Sequence, residues 1–125
     1  MTEDARILVV DDEEDVRSLV AEFLGSKGYS VLTAATGPEA IAAVQHHRPA
    51  LVLMDIRMPK MDGLEAIERI REIDRRVGFI MLTAVEEEGV AREAMRRDAY
   101  DYLTKPLDFG YLELAILTKL AYAER

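Results

Sequence analysis

The chain has 125 residues, 50% of them apolar and 32% charged, which is enough for one domain with its own core and excludes a disordered or bilayer-embedded polypeptide. Sixteen Lys and Arg against 24 Asp and Glu leave a net charge of −8, the wrong sign for gripping a phosphate backbone, so no direct nucleic-acid binding is expected. With no Cys there are no disulfides and no thiolate chemistry; no apolar run reaches the ~20 residues that span a bilayer, and the N-terminus lacks the apolar stretch of a signal peptide, so no membrane association and a cytoplasmic location are expected.

Short apolar runs alternate with helical periodicity from Arg6 to Glu124, with no linker between them. Ile7–Val10 reads as a buried strand. Val16, Leu19, Val20, Phe23 and Leu24 then repeat at helical spacing, and Gly25 and Gly28 bracket the helix end. Tyr29–Ala35 is a weaker second strand. Gly37-Pro38 opens a helix carrying Ala40, Ile41 and Val44 and ending near His46-His47, whose charge suits a helix C-terminus. Leu51–Met54 is a third strand, followed by a loop with Pro59 and Gly63 and a helix marked by Leu64, Ile67 and Ile70. Phe79–Leu82 is a fourth strand, 86–97 a fourth helix, Tyr100–Leu103 a short fifth strand, and Asp108 caps a last helix. Met54, Met58 and Met61 read as gap fillers around the loop after the third strand.

Strands that are apolar throughout, rather than alternating, belong to a parallel sheet covered on both faces. Strict alternation of strand and helix predicts an α/β, flavodoxin-like, doubly wound (βα)5 three-layer sandwich with sheet order 2-1-3-4-5. One domain over 1–125 is expected. In that order the functional crevice lies at the carboxyl ends of the strands.

Those ends carry chemistry. Strand 1 ends in Asp11-Asp12, strand 3 in Asp55, strand 4 in Thr83 and strand 5 in Lys105-Pro106. Each has a plain reading: Asp11–Asp15 as favourable charge at a helix start, Asp55 as a turn former, Thr83 as a helix cap, Lys105 as a surface lysine. All of those would have to hold together at one sheet edge. Gathered carboxylates repel, and a divalent cation with a preference for oxygen removes the repulsion; Mg²⁺ is the fitting choice. A carboxylate kept ionised beside it can attack phosphorus, and the phosphoryl oxygens need partners of the Lys105 and Thr83 types.

The runs Ile7–Glu13, Met54–Gly63, Met81–Ala84 and Tyr102–Pro106 together resemble the response-regulator receiver domains of two-component signalling, over nearly the whole chain. Ala99–Pro106 is similar to receivers of the nitrogen-regulation class. The resemblance implies that Asp55 is the phosphoacceptor and that Asp12, Asp55 and the main-chain carbonyl of Arg57 ligate Mg²⁺, with Asp11 acting through water. It further implies that Thr83 and Lys105 hold the phosphoryl oxygens, that Tyr102 turns inward on activation and that the Lys105–Pro106 bond is cis. Arg57 and Val85 would flank an attacking water. Asp98 departs from the family, which commonly has Gly there. The implied partner is a sensor histidine kinase or phosphotransfer protein, with the chain an interaction switch that catalyses only its own phosphorylation and dephosphorylation.

The readout surface expected from the resemblance comprises the fourth helix, fifth strand and last helix. The last helix carries Tyr111, Leu112, Leu114, Ile116, Leu117, Leu120 and Tyr122, more apolar circumference than one core-facing stripe requires. Arg92, Arg96 and Arg97 could meet Asp101, Asp108 and Glu113 of a second copy in a phosphorylation-dependent homodimer. Other readings fit less well. A haloacid-dehalogenase-type phosphohydrolase needs a second Asp two residues after the first, where Arg57 stands; a flavin carrier needs a phosphate loop where the acidic run stands. A receiver that works without phosphorylation would have no use for the intact Asp12, Asp55, Thr83 and Lys105 set.

Overall fold

Five parallel strands in the order β2-β1-β3-β4-β5 form the middle layer: β1 Arg6–Val10, β2 Ser30–Ala34, β3 Leu51–Asp55, β4 Gly78–Thr83 and β5 Asp101–Thr104. The computed structural model describes residues 6–56, 58, 61, 63–84, 89, 92, 93, 96 and 101–123. Four helices are described: α1 Glu14–Ser26, α2 Gly37–His47, α3 Gly63–Ile73 and the C-terminal α4 Phe109–Ala123. The sheet order and α/β class are those the sequence predicts. The predicted helix over 86–97 and Asp98 lie largely outside the described residues.

The all-apolar runs explain the sheet. Every residue of β3 and β4 is buried, as are Ile7–Val10 of β1, so these strands are covered on both faces. Alternate side chains feed two cores. Leu8, Val10, Val52, Met54, Phe79 and Met81 meet Ala40, Val44, Ile67 and Ile70 of α2 and α3. Ile7, Val9, Leu51, Leu53, Ile80 and Leu82 meet Val20, Leu24, Leu112, Ile116 and Leu120 of α1 and α4. Each fully buried aliphatic side chain contributes about 1.5–3 kcal/mol, so losing either helix layer would unfold the domain. Met58 and Met61 pack on the first of these cores beside fully buried Met54, as gap fillers should.

Helix ends follow local chemistry. Glu14 and Asp15 sit in the first turn of α1, where the helix dipole favours acids, and Gly28 takes φ 95° after its last turn. Thr36 caps α2 by accepting from the Glu39 N–H at 3.2 Å, while Glu39 accepts the Ala35 N–H at 2.9 Å; this reciprocal cap accompanies the Pro38 start. His46 and His47 occupy the last turn of α2. Asp108 accepts the Tyr111 N–H at 3.1 Å and caps α4.

One expectation about a helix face is corrected and another holds. Leu19 is not part of the buried stripe of α1: it is 56% exposed, because it lies at the edge of the arc formed by Val16, Val20, Phe23 and Leu24. On α4 the expected excess of apolar circumference is present: Leu112, Ile116 and Leu120 point into the core, while Tyr111, Leu114 and Leu117 are 48%, 59% and 45% exposed and form a second, outward apolar face.

Candidate functional site

The strand ladders deliver the chemical residues to one edge. The Asp11 N–H donates to the Ala34 carbonyl at 3.2 Å, so the β1–β2 pairing continues one residue past Val10. Asp55 is the last residue of β3 and stands opposite Leu82. Its turn is tightened by the Ile56 N–H to the Leu82 carbonyl at 3.1 Å and the Gly63 N–H to the Ile56 carbonyl at 2.7 Å. The Lys105 N–H donates to the Thr83 carbonyl at 2.7 Å, which seats Lys105 just beyond β5, beside the end of β4.

Asp11, Asp12 and Asp55 each offer a carboxylate oxygen within 4.8 Å of the others. Asp11 is fully buried and Asp55 nearly so, while Asp12 is exposed. The Lys105 ammonium bridges the group, 3.1 Å from Asp11 Oδ2, 3.1 Å from Asp55 Oδ2 and 3.4 Å from Glu13 Oε1. Burial pulls the pKa of Lys105 down, but its bonds to Asp11 and the charge of Asp55 outweigh that and hold it above the ordinary lysine value. The Lys105–Pro106 bond is cis.

The donor set fits a hard divalent cation. It consists of carboxylate oxygens alone, with neither sulfur nor imidazole, the chemistry that Mg²⁺ selects. Both Asp11 oxygens are already engaged, Oδ1 by the Glu13 N–H at 2.9 Å and Oδ2 by Lys105. Asp12 and Asp55 are the cluster members that could ligate such a cation directly. Arg57, the expected main-chain ligand, and Val85 lie outside the described residues.

Thr83 is buried at the end of β4, and its hydroxyl donates to the Ala84 carbonyl at 3.1 Å. Tyr102 stands opposite Met81 in the β4–β5 ladder, half-buried against the core beneath α2 and α3. Asp101 accepts from the Tyr102 N–H at 2.8 Å and from the Tyr111 hydroxyl at 3.1 Å, tying β5 to α4. Arg92 and Arg96 are exposed, and Arg96 pairs with Glu93 at 3.2 Å; Arg97 lies outside the described residues. Glu113 pairs with Lys27 of α1 at 3.7 Å.

Two contacts escape the sequence. Glu13 reaches Lys105, and Arg17 donates from Nη1 to the Asp11 carbonyl at 2.8 Å. The acidic run after β1 was the available signal for the first. Nothing in the spacing announces the second. A cavity of about 250 Å³, lined by Leu19, Val20, Lys105, Pro106 and Phe109 among others, opens between α1 and the start of α4.

Comparison with known proteins agrees with the fold. Regulatory protein AtoC of Escherichia coli K12 is 40% identical over 116 residues, covering 93% of this chain, which spans only 25% of AtoC. Sporulation initiation phosphotransferase F of Bacillus subtilis is 35% identical over 111 residues, 89% of this chain and 90% of its own length. The crystal structure of a response regulator receiver domain protein from Clostridium thermocellum superposes with TM-score 0.92 at 30% identity, covering 96% of this chain and 97% of that one. NtrX of Brucella abortus superposes with TM-score 0.92 at 34% identity, over 97% of this chain and 28% of NtrX. AtoC and NtrX agree with the nitrogen-regulation flavour of residues 99–106. Residues 7–117 match the family model described as the response regulator receiver domain, and the chain belongs to that family of two-component systems.

Proposed function

We propose that the chain, as one unit over 1–125, is a cytoplasmic phospho-receiver switch in which Asp55 takes a phosphoryl group from the phosphohistidine of a sensor histidine kinase or phosphotransfer protein. A carboxylate oxygen of Asp55 forms the new O–P bond as the N–P bond breaks; the departing imidazole keeps the electron pair and takes up a proton. Asp12, Asp55 and the Arg57 carbonyl would hold Mg²⁺, with Asp11 one water removed. When bound, the cation neutralises the carboxylates and draws charge from the transferring phosphoryl group. Lys105 and Thr83 supply the cationic and hydroxyl partners for the phosphoryl oxygens. The chain acts on no other substrate.

The observation that carries this reading is the Lys105 ammonium at 3.1 Å from both Asp11 and Asp55, with Asp12 in the same cluster. A cation already poised on the acceptor carboxylate serves phosphoryl transfer. The test is intact-mass spectrometry with a small phosphodonor and Mg²⁺. One added phosphoryl mass is expected, lost in Asp55→Asn and suppressed by EDTA; normal yield in Asp55→Asn would refute the acceptor assignment.

We further propose that the phosphoryl draws the Thr83 hydroxyl inward, that Tyr102 follows, and that β5 and α4 are repositioned as an interaction face. The outward Tyr111, Leu114 and Leu117 and the exposed Arg92 and Arg96 support that role. A second copy of the chain is the proposed partner of this face.

A further inference from the structure

Arg17 is an odd residue for its place. It sits at the start of α1, just after Glu14 and Asp15, where the helix dipole disfavours a cation. Its side chain turns back toward the helix N-terminus, as helical side chains do, and Nη1 donates to the Asp11 carbonyl at 2.8 Å. That bond completes the hold on Asp11. The Asp11 N–H goes to Ala34, Oδ1 takes the Glu13 N–H, and Oδ2 takes Lys105. Every polar atom of this buried residue thus has a partner, and the partners come from β2, the turn, α1 and the loop after β5.

The carbonyl that Arg17 holds belongs to the Asp11–Asp12 peptide plane. Rotating that plane swings the Asp12 side chain. Asp12 is the exposed member of the carboxylate cluster, repelled by Asp11 and Asp55, and water favours its outward rotation. Holding Asp12 in one direction costs conformational entropy, and a backbone fixed beforehand removes the backbone share of that cost from metal binding. We propose that Arg17 is a positioning residue: by holding the Asp11 carbonyl it fixes the Asp11–Asp12 peptide, and with it the direction in which Asp12 presents its carboxylate to a divalent cation. This rests on the reading of Asp11, Asp12 and Asp55 as a cation site.

The sign of the effect separates positioning from charge. By Coulomb's law alone, deleting a cation beside a carboxylate cluster strengthens Mg²⁺ binding. Positioning predicts the opposite. Mg²⁺ titration by calorimetry at fixed ionic strength is the test, with thermal midpoints taken in EDTA. Arg17→Ala should weaken Mg²⁺ binding about tenfold, the scale typical of losing a group that orients a metal ligand. Arg17→Lys, which keeps the charge but offers a shorter single-point donor, should recover part of the loss. A merely structural role would lower the metal-free midpoint and leave the affinity of the folded protein unchanged. Arg17→Ala binding as tightly as the wild type, or tighter, overturns the proposal while loss of binding in Asp12→Asn leaves the cation site standing. Equal binding by wild type and Asp12→Asn overturns the cation site and the proposal together. Should Arg17→Ala not fold, wild-type affinity in Arg17→Lys overturns the proposal and a several-fold weakening supports it.

Discussion

Lys105 Nζ and Asp55 Oδ2 stand 3.1 Å apart, although 50 residues separate them in sequence. The same ammonium touches Asp11, so this side chain supplies positive charge to the ground a divalent cation would share. Lys105 and Mg²⁺ then compete for the same negative charge. Lys105→Met should bind Mg²⁺ several-fold more tightly, since removing a unit charge at this range changes the interaction by about 1–4 kcal/mol before solvent and rearrangement reduce it. The same variant should accept a phosphoryl group far more slowly. Calorimetry and a phosphorylation time course measure the two effects, and unchanged Mg²⁺ affinity would show that Lys105 does not neutralise this site.

The raised pKa of Lys105 fixes a pH window. The folded value lies above the ordinary 10.5, because its bonds to Asp11 and the charge of Asp55 outweigh desolvation. Its stabilising contribution is therefore complete below 10.5 and is lost as pH climbs through the higher folded value. In metal-free urea unfolding, the stability difference between wild type and Lys105→Met should stay constant from neutral pH upward and shrink only in strong alkali. Other lysines and tyrosines titrate in both proteins and cancel. A difference that vanishes near neutral pH would show that another group is responsible.

Gly63 marks where the loop after Asp55 closes on the strand. A Cβ there would lie 2.9 Å from Ile56 Cα and 3.0 Å from the Asp55 carbonyl oxygen, both main-chain atoms with nowhere to go. Gly63→Ala should destabilise the protein by about 1–3 kcal/mol in urea unfolding, the usual range for overpacking. The displaced turn should also slow phosphorylation of Asp55. Gly25→Ala, where nothing lies within 4 Å, is the control and should leave the phosphorylation rate unaffected.

The outward face of α4 separates interaction from stability. Leu114 and Leu117 are 59% and 45% exposed, so Leu114→Glu with Leu117→Glu should change unfolding by no more than about 0.5 kcal/mol per site. The proposed self-association of the wild type in Mg²⁺ with beryllofluoride should disappear in the double variant. Sedimentation velocity reads this directly. A monomer in both proteins would remove the second copy as the partner of this face.

The sheet was legible because its strands announce burial on two sides. Ile7–Val10, Leu51–Met54 and Phe79–Leu82 contain no polar residue, and all are buried. The second strand was weaker for a physical reason: β2 is an edge, only Ala34 is buried, and its pattern blurs. At the site, residue types at strand ends were enough to name Asp11, Asp12, Asp55, Thr83 and Lys105, since a parallel sheet brings those ends to one edge. The hold of Arg17 on the Asp11 carbonyl was not legible, because a side chain bonding to main chain leaves no partner residue to spot.

The bridge formed by Lys105 also makes the site a witness to folding. Asp11 and Lys105 are 94 residues apart in sequence and 3.1 Å apart in space, at nearly opposite ends of the chain. No fragment ending before β5 can assemble this cluster. Contacts of such long sequence separation form late and slow the folding of the domain. Charge balance at the site is thus available only to a chain whose last strand has docked, and a truncated or half-folded copy would present bare, mutually repelling carboxylates instead.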